Sequence, residues 1–262
     1  MQSDLYENIA PYYDTLHDWL NEDVELVLSL VAGSGPVVDL GCGTGRLLLP
    51  LARAGHVVTG VDRSLVMLQR AKQRIQDEVH RNEGSKVEQR ISLLCADMTD
   101  FALAGEPFEL AIISYNTLMH LDAAGVVQAC RNIRRHLAPG GRLFIDIVNP
   151  LLLEKTPGDH LLTLDRTFID PHSGDLVVVM AANELDESRQ LLSITWIYDA
   201  SPQGGGAIAR RVARVRYYYY FAHQIELALE HADFELIAMY GSYGQDPFTE
   251  ESERLLFLAR RP

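Results

Sequence analysis

The chain has no run of about 20 apolar residues, no basic head leading into an apolar stretch, no Cys-x-x-Cys pair and no long basic segment. Each absence excludes something. Without an apolar run of that length there is no candidate membrane span. The opening Met-Gln-Ser-Asp-Leu-Tyr-Glu does not read as a signal peptide, so a cytoplasmic location is expected. Cys42, Cys95 and Cys130 are too widely spaced to suggest a metal site or a disulfide framework; they read as small buried hydrophobes, and no metal is expected. Positive charge is scarce: 23 Lys and Arg face 36 Asp and Glu, for a formal net charge of -13. That is not the footprint of a nucleic-acid binder, and a small or cationic partner suits it better.

What is present is the composition of a soluble globular chain, 262 residues with 47% hydrophobic and 23% charged. That length suits one large domain, or one domain with a lid or subdomain. Its most informative stretch is residues 37–62: an apolar strand, a turn with glycine at every second place (Gly41, Gly43, Gly45), an amphipathic helix, and a second strand ending in Asp62. Glycines let the backbone turn sharply and approach a ligand that side chains would exclude. A carboxylate at the tip of the second strand can accept both hydroxyls of a ribose. A dinucleotide fingerprint needs Gly-x-Gly-x-x-Gly, but here Arg46 stands at the third place.

Asp39 followed by Gly-x-Gly-x-Gly resembles motif I of class I S-adenosylmethionine (AdoMet)-dependent methyltransferases. The resemblance implies an α/β fold: a doubly wound, Rossmann-like, seven-stranded and mainly parallel sheet, with an antiparallel β insertion after the fifth strand and an N-terminal helical lid. It runs over the whole chain and is weakest over the insertion. Boundaries are expected at 1–36 for the lid, 37–150 for the AdoMet-binding core, 151–222 for the insertion roofing the substrate, and 223–262 for the rest of the core sheet.

The pattern along the chain follows this plan. Tyr6, Ile9, Tyr12, Tyr13, Leu16 and Trp19 recur at helical spacing between Asp4 and Leu20, either as a packing stripe or as a segment closing over the cofactor. Tyr6-Glu7 followed by Tyr13-Asp14 resembles the Tyr-Asp pattern of small-molecule methyltransferases. A second helix over 22–31 ends at the breakers Gly33, Ser34, Gly35 and Pro36. Strands are expected over 37–40, 56–61, 91–95, 108–114 and 142–148, with helices over 47–54, from the cap Ser64 onward, and over 123–137, and a break at Pro139-Gly140-Gly141. Residues 161–169, 176–185, 191–198 and 212–221 read as four antiparallel strands. A short helix over 224–231 and two closing strands, 234–240 and 255–260, pairing antiparallel at the sheet edge, complete the chain.

The resemblance implies that Tyr13, Asp39, Gly41, Cys42, Gly43, Asp62, Arg63, Asp97, Met98 and Ser114 hold AdoMet, leaving S-adenosylhomocysteine as product. Asp97 suits the exocyclic amine of adenine, which a carboxylate can accept. After the fourth strand, Asn116-Thr117-x-x-His120-Leu121 resembles the order in glycine and sarcosine N-methyltransferases. Neither Asn-Pro-Pro-Tyr nor Asp-Pro-Pro-Tyr, a signature of enzymes methylating nucleic-acid bases or certain protein side chains, occurs. His120, Tyr13 and Asn116 are the candidate catalytic residues, and His120 can be read as a general base or a positioning contact. Asn116, Trp196, Tyr198, Arg216, Tyr217 and Tyr219 are the candidate substrate contacts. In a strand, Tyr217, Tyr219 and Phe221 would share one face and Tyr218 and Tyr220 the other. The expected activity is methyl transfer to a small molecule, an amine nitrogen first. An O- or C-methyltransferase of an aromatic metabolite and a non-catalytic AdoMet binder stay open, as does a homodimer.

Overall fold

A computed structural model describes residues 6–31, 33, 35–82, 85–153 and 161–262. The expected helix start at Asp4 and the breaker Ser34 lie outside the described residues. In order, the chain forms α1 (Tyr6–His17), α2 (Glu22–Leu30), β1 (Val37–Leu40), α3 (Leu48–Arg53), β2 (Val58–Asp62), α4 (Leu65–Arg81), β3 (Ile91–Cys95), β4 (Phe108–Ile113), α5 (Ala123–His136), β5 (Leu137–Val148) and α6 (Pro150–Leu153). There follow β6 (Thr163–Ile169), β7 (Leu176–Asp186), β8 (Leu191–Ser201), β9 (Ala209–Tyr218), α7 (Ala222–His231), β10 (Glu235–Tyr240) and β11 (Arg254–Arg260). Two compact units result. One holds Met1–Trp19 and Leu153–Tyr219, the other Leu20–Leu152 and Tyr220–Pro262, so α1 and α2 fall in different units.

The larger unit is built on a seven-stranded sheet in the order β10-β11-β5-β4-β1-β2-β3. All neighbours are parallel except β11, which runs antiparallel to both β5 and β10. β1 is buried throughout and β4 nearly so, as strands covered on both faces must be. Because β1 leads to β2 on one side and has β4 on the other, the order reverses between β1 and β4. In open α/β sheets ligands settle in the crevice at such a switch, outside the carboxyl ends of the strands. Leu26, Val27 and Leu30 of α2 join Val37, Leu48, Leu110, Phe144 and Leu256 in one buried cluster. Ser64 caps α4 by accepting from Met67 N, which fixes where the chain turns after β2.

The start of β5 differs from the sequence reading. Pro139-Gly140-Gly141 does not precede β5 but bulges out of it: Phe108 pairs with Leu137 and Leu110 with Arg142, so residues 138–141 are looped out. Gly140 there has φ +77°, and the bulge is pinned by Gly140 N to Arg261 O and Arg261 N to Gly141 O, both 2.8 Å. Cys95 is exposed rather than buried, because it ends the edge strand β3; Cys42 and Cys130 are buried as expected.

The smaller unit is a four-stranded antiparallel meander, β6-β7-β8-β9. Ile9 and Tyr12 of α1 pack on the sheet face that carries Val177, Val179, Tyr198, Ala200 and Ala213. Tyr12 stacks on Tyr198 with ring centroids 5.4 Å apart and meets Phe168 edge-on at 5.8 Å. Asn8 Nδ2 donates to Val212 O of the edge strand β9 at 2.9 Å, satisfying a carbonyl there. The hairpin joining β8 and β9 is longer than its apolar residues suggested, because Asp199 and Arg210 pair across it at 2.6 and 2.7 Å. At its far end β9 stops at Tyr218 instead of reaching Phe221. Tyr219 N bonds to Gln190 O and Phe221 N to Gln224 Oε1, which turns the chain into α7. The face alternation expected for Tyr217 to Phe221 therefore holds only through Tyr218.

Candidate active site

The glycine turn sits at the carboxyl end of β1. Gly41, Gly43 and Gly45 have φ of +73°, +56° and +80°. A Cβ on Gly41 would stand 2.1 Å from Thr117 Cγ2, so glycine there is required by space as well as by conformation. The turn is tied to β2: Gly41 N donates to Val61 O at 2.7 Å, and Gly43 N to Asp62 Oδ2 at 2.9 Å. Asp62 Oδ1 accepts from Ser64 N at 2.8 Å. The carboxylate is thereby locked at the strand tip.

Asp39, 1% exposed, has an Oδ1 that finds no hydrogen-bond partner among the described residues. Burial pushes its carboxyl up to about 7; Arg46 opposes this, and the charges of Asp62 and Asp23 add to it. Cys42 beside it is buried, and burial together with the charges of Asp39 and Asp62 holds its thiol well above the usual range, which disfavours the thiolate. Across the sheet, Asp97 Oδ1 accepts from Thr99 N at 2.9 Å and Thr99 Oγ1 at 2.7 Å, leaving Oδ2 without a protein donor among the described residues. Met98 is half-buried next to it, and Ala96 N binds Asp62 O, linking the ends of β2 and β3. Ser114 is buried just past β4, and its carbonyl accepts from Thr117 N. His120 lies at the end of the short turn Thr117–His120 that follows; burial, with the positive charge of Arg63, depresses its imidazole to about 4.

The remaining sequence candidates are placed as follows. Asn116 turns its side chain into the protein, where Oδ1 accepts from Val148 N at 2.7 Å and Arg254 Nη2 at 3.1 Å. Tyr13 belongs to the smaller unit, its ring stacked on His17 at 4.2 Å and edge-on to Tyr6 at 6.2 Å. Trp196 and Tyr198 share the face packed by α1, and burial raises the Tyr198 phenol to about 12. Tyr217 lies opposite Leu192 on that same face, the exposed Arg216 opposite Ser193 on the other, and Tyr219 is buried beyond the strand. Missed from sequence are Asp146, Arg254 and Tyr243, whose polar groups meet behind Asn116, and Asp23, which binds Arg46 through both oxygens. The visible signal for Asp146 was a lone charge inside the apolar run Phe144-Ile145-Asp146-Ile147.

These groups suit a ligand bearing an ammonium, a ribose diol and an adenine amine: an unpartnered buried carboxylate oxygen, a carboxylate fixed at the tip of β2, and a carboxylate oxygen open at the end of β3. A family profile described as a methyltransferase domain matches residues 37–141. The cypemycin N-terminal methyltransferase of a Streptomyces species is 28% identical over 264 residues, covering 97% of this chain and 96% of that protein. Two solved structures share the fold. An S-adenosylmethionine-dependent methyltransferase from Clostridium acetobutylicum has a TM-score of 0.79 at 19% identity, covering 98% and 99% of the two chains. The SAM-bound amino pentose methyltransferase of Micromonospora echinaspora has a TM-score of 0.69 at 21% identity, covering 100% and 98%. The motif, the sheet order and these likenesses converge: the chain is a class I AdoMet-dependent methyltransferase.

Proposed function

We propose that the enzyme methylates an amine nitrogen of a small molecule. The observation that carries this is His120, placed at the end of the turn Thr117–His120 just past β4 and the buried Ser114, where burial and the charge of Arg63 depress its imidazole to about 4 and keep it neutral at neutral pH. A neutral imidazole of such low basicity accepts a hydrogen bond well and takes up a proton poorly. An amine can shed its proton to water before it attacks, whereas a hydroxyl needs a competent base during transfer. Two similar proteins are described by acceptors of this chemistry, one as an N-terminal methyltransferase and one as an amino pentose methyltransferase.

Bound AdoMet supplies a methyl group on a sulfonium, already activated for in-line displacement. The protein's part is to hold and align. Asp39 receives the cofactor's ammonium, Asp62 its ribose hydroxyls, and Asp97, with the backbone at Met98, its adenine. His120 accepts from the amine N–H and orients the lone pair. Such positioning can supply on the order of 7–11 kcal/mol of the barrier reduction. No helix among the described residues is long and apolar enough to cross a membrane. The test is incubation with methyl-labelled AdoMet and a panel of amines, amino sugars, peptide N-termini and phenols, with the alkylated atom located by mass spectrometry and NMR. Label on nitrogen is expected; label confined to oxygen or carbon would overturn the proposal.

A further inference from the structure

Immediately after β4, two consecutive residues adopt left-handed backbone, Tyr115 at φ +47° and Asn116 at φ +67°. Such conformations are strained for a non-glycine residue and persist only where the surroundings impose them. Here the surroundings are ionic and buried. Tyr115 N donates to Asp146 Oδ2 and Asn116 N to the Asp146 main-chain oxygen, both at 2.9 Å. Arg254 Nε reaches Asp146 Oδ1 at 2.9 Å while its Nη2 binds Asn116 Oδ1 at 3.1 Å. Tyr243 Oη, kept protonated by burial and the adjacent Asp146 charge, donates to Asp146 Oδ2 at 3.1 Å. The Asp146 side chain is 0% exposed. The Tyr115 ring has two guanidinium groups near it, Arg254 at 5.6 Å and Arg46 at 6.0 Å from its centroid.

A buried ion pair is a costly way to hold a strand end, since apolar replacements are often as stable. What distinguishes this one is where the strained turn leads. Thr117, the next residue, packs its Cγ2 against Gly41 of the glycine turn, and β4 neighbours β1 at the point where the sheet order reverses. Residues 114–117 thus form the lip of the crevice facing the cofactor turn. We propose that Arg254 and Asp146 are positioning residues of the methyl-donor site, holding Tyr115 and Asn116 in the left-handed pair that seats this lip against Gly41. Asn116 acts through the same device, its oxygen bridging Arg254 and Val148 instead of meeting substrate. The proposal rests on AdoMet as the cofactor and is independent of the acceptor.

The experiment measures AdoMet affinity by calorimetry and the thermal midpoint of the ligand-free protein for four chains: wild type, Arg254→Lys, Asn116→Ala and Asn116→Asp. Lysine keeps a charge for Asp146 but cannot also reach Asn116; alanine removes the bridging oxygen and resists left-handed backbone; aspartate tolerates that backbone and restores the acceptor. The expected result is AdoMet binding weakened about tenfold in Arg254→Lys and Asn116→Ala, the loss of one or two good hydrogen bonds, with recovery to within about threefold in Asn116→Asp. Lowered midpoints with unchanged AdoMet affinity would reduce the network to a fold support and overturn the proposal. If Asn116→Ala does not fold, Arg254→Lys decides alone. Wild type failing to bind AdoMet would instead strike the cofactor assignment itself.

Discussion

Asp39 carries the pH dependence expected of cofactor binding. Its carboxyl is raised to about 7 by burial, so the ligand-free protein holds a proton there below that pH. For stability the sign is unfavourable: a carboxyl raised in the folded state costs stability as pH climbs from its ordinary value of 3.8 to about 7. For binding, the sign reverses. A cofactor ammonium needs the ionised form, so AdoMet affinity rises roughly tenfold per pH unit up to about 7 and flattens until the α-ammonium itself deprotonates near 8. Calorimetric titrations between about pH 5.5 and 8 read this directly, and Asp39→Asn, which cannot ionise, should give a flat, weaker profile. Asp62→Ala should weaken AdoMet about tenfold or more, since two ribose hydrogen bonds go and the fold keeps its core, while the pH trend set by Asp39 remains and moves to lower pH because the Asp62 charge is gone. His120 yields a different signature. Neutral above about 4, it should leave no inflection in the rate between pH 6 and 8. His120→Ala should lower the rate by the same factor, about tenfold for one lost hydrogen bond, at both ends of that range. A ratio that changes with pH would make the imidazole a base after all.

At the level of elements, the glycine turn and the segment after β4 are two halves of one joint. Gly41→Ala places a methyl 2.1 Å from Thr117 Cγ2 in left-handed backbone, so it should cost about 1–2 kcal/mol from conformation plus the clash. Thr117→Ser deletes that methyl, and combined with Gly41→Ala should return part of the lost midpoint; a strictly additive double mutant would mean that the joint is not tight. How far such features could be read in the chain depends on how local their cause is. β1 and β4 were legible because apolar runs bounded by turn residues name buried strands, and the glycine turn because its left-handed backbone is set within five residues, although its contact with Thr117 is not local. The end of β9 was not, since alternation in Tyr217 to Phe221 reports faces but not where the chain leaves its sheet, which Gln190 decides from the turn between β7 and β8. The Asp146–Arg254 pair joins residues 108 apart in sequence, and only the antiparallel insertion of β11 next to β5 brings them together. Asn116 illustrates the same limit: its place in the motif order was visible, its inward turn was not.

For the molecule as a whole, the net charge of -13 that argued against nucleic acid also bears on turnover. AdoMet at neutral pH carries a sulfonium, an ammonium and a carboxylate, a net positive charge; S-adenosylhomocysteine, having lost the sulfonium, is neutral overall. An acidic protein attracts the first over distances of about one Debye length, roughly 10 Å at 0.1 M salt, and exerts no net pull on the second. The buried carboxylates Asp39 and Asp62 give this preference a local focus, being held at the end of the β1–β2 pair into which the cofactor turn opens. The association rate of AdoMet should therefore fall several-fold between about 0.02 and 0.5 M salt, while that of the product stays nearly level. Stopped-flow measurements with both ligands at several ionic strengths make the comparison. Equal salt slopes would show that the acidic surface plays no part in drawing in the donor, leaving discrimination between donor and product to contacts inside the crevice alone.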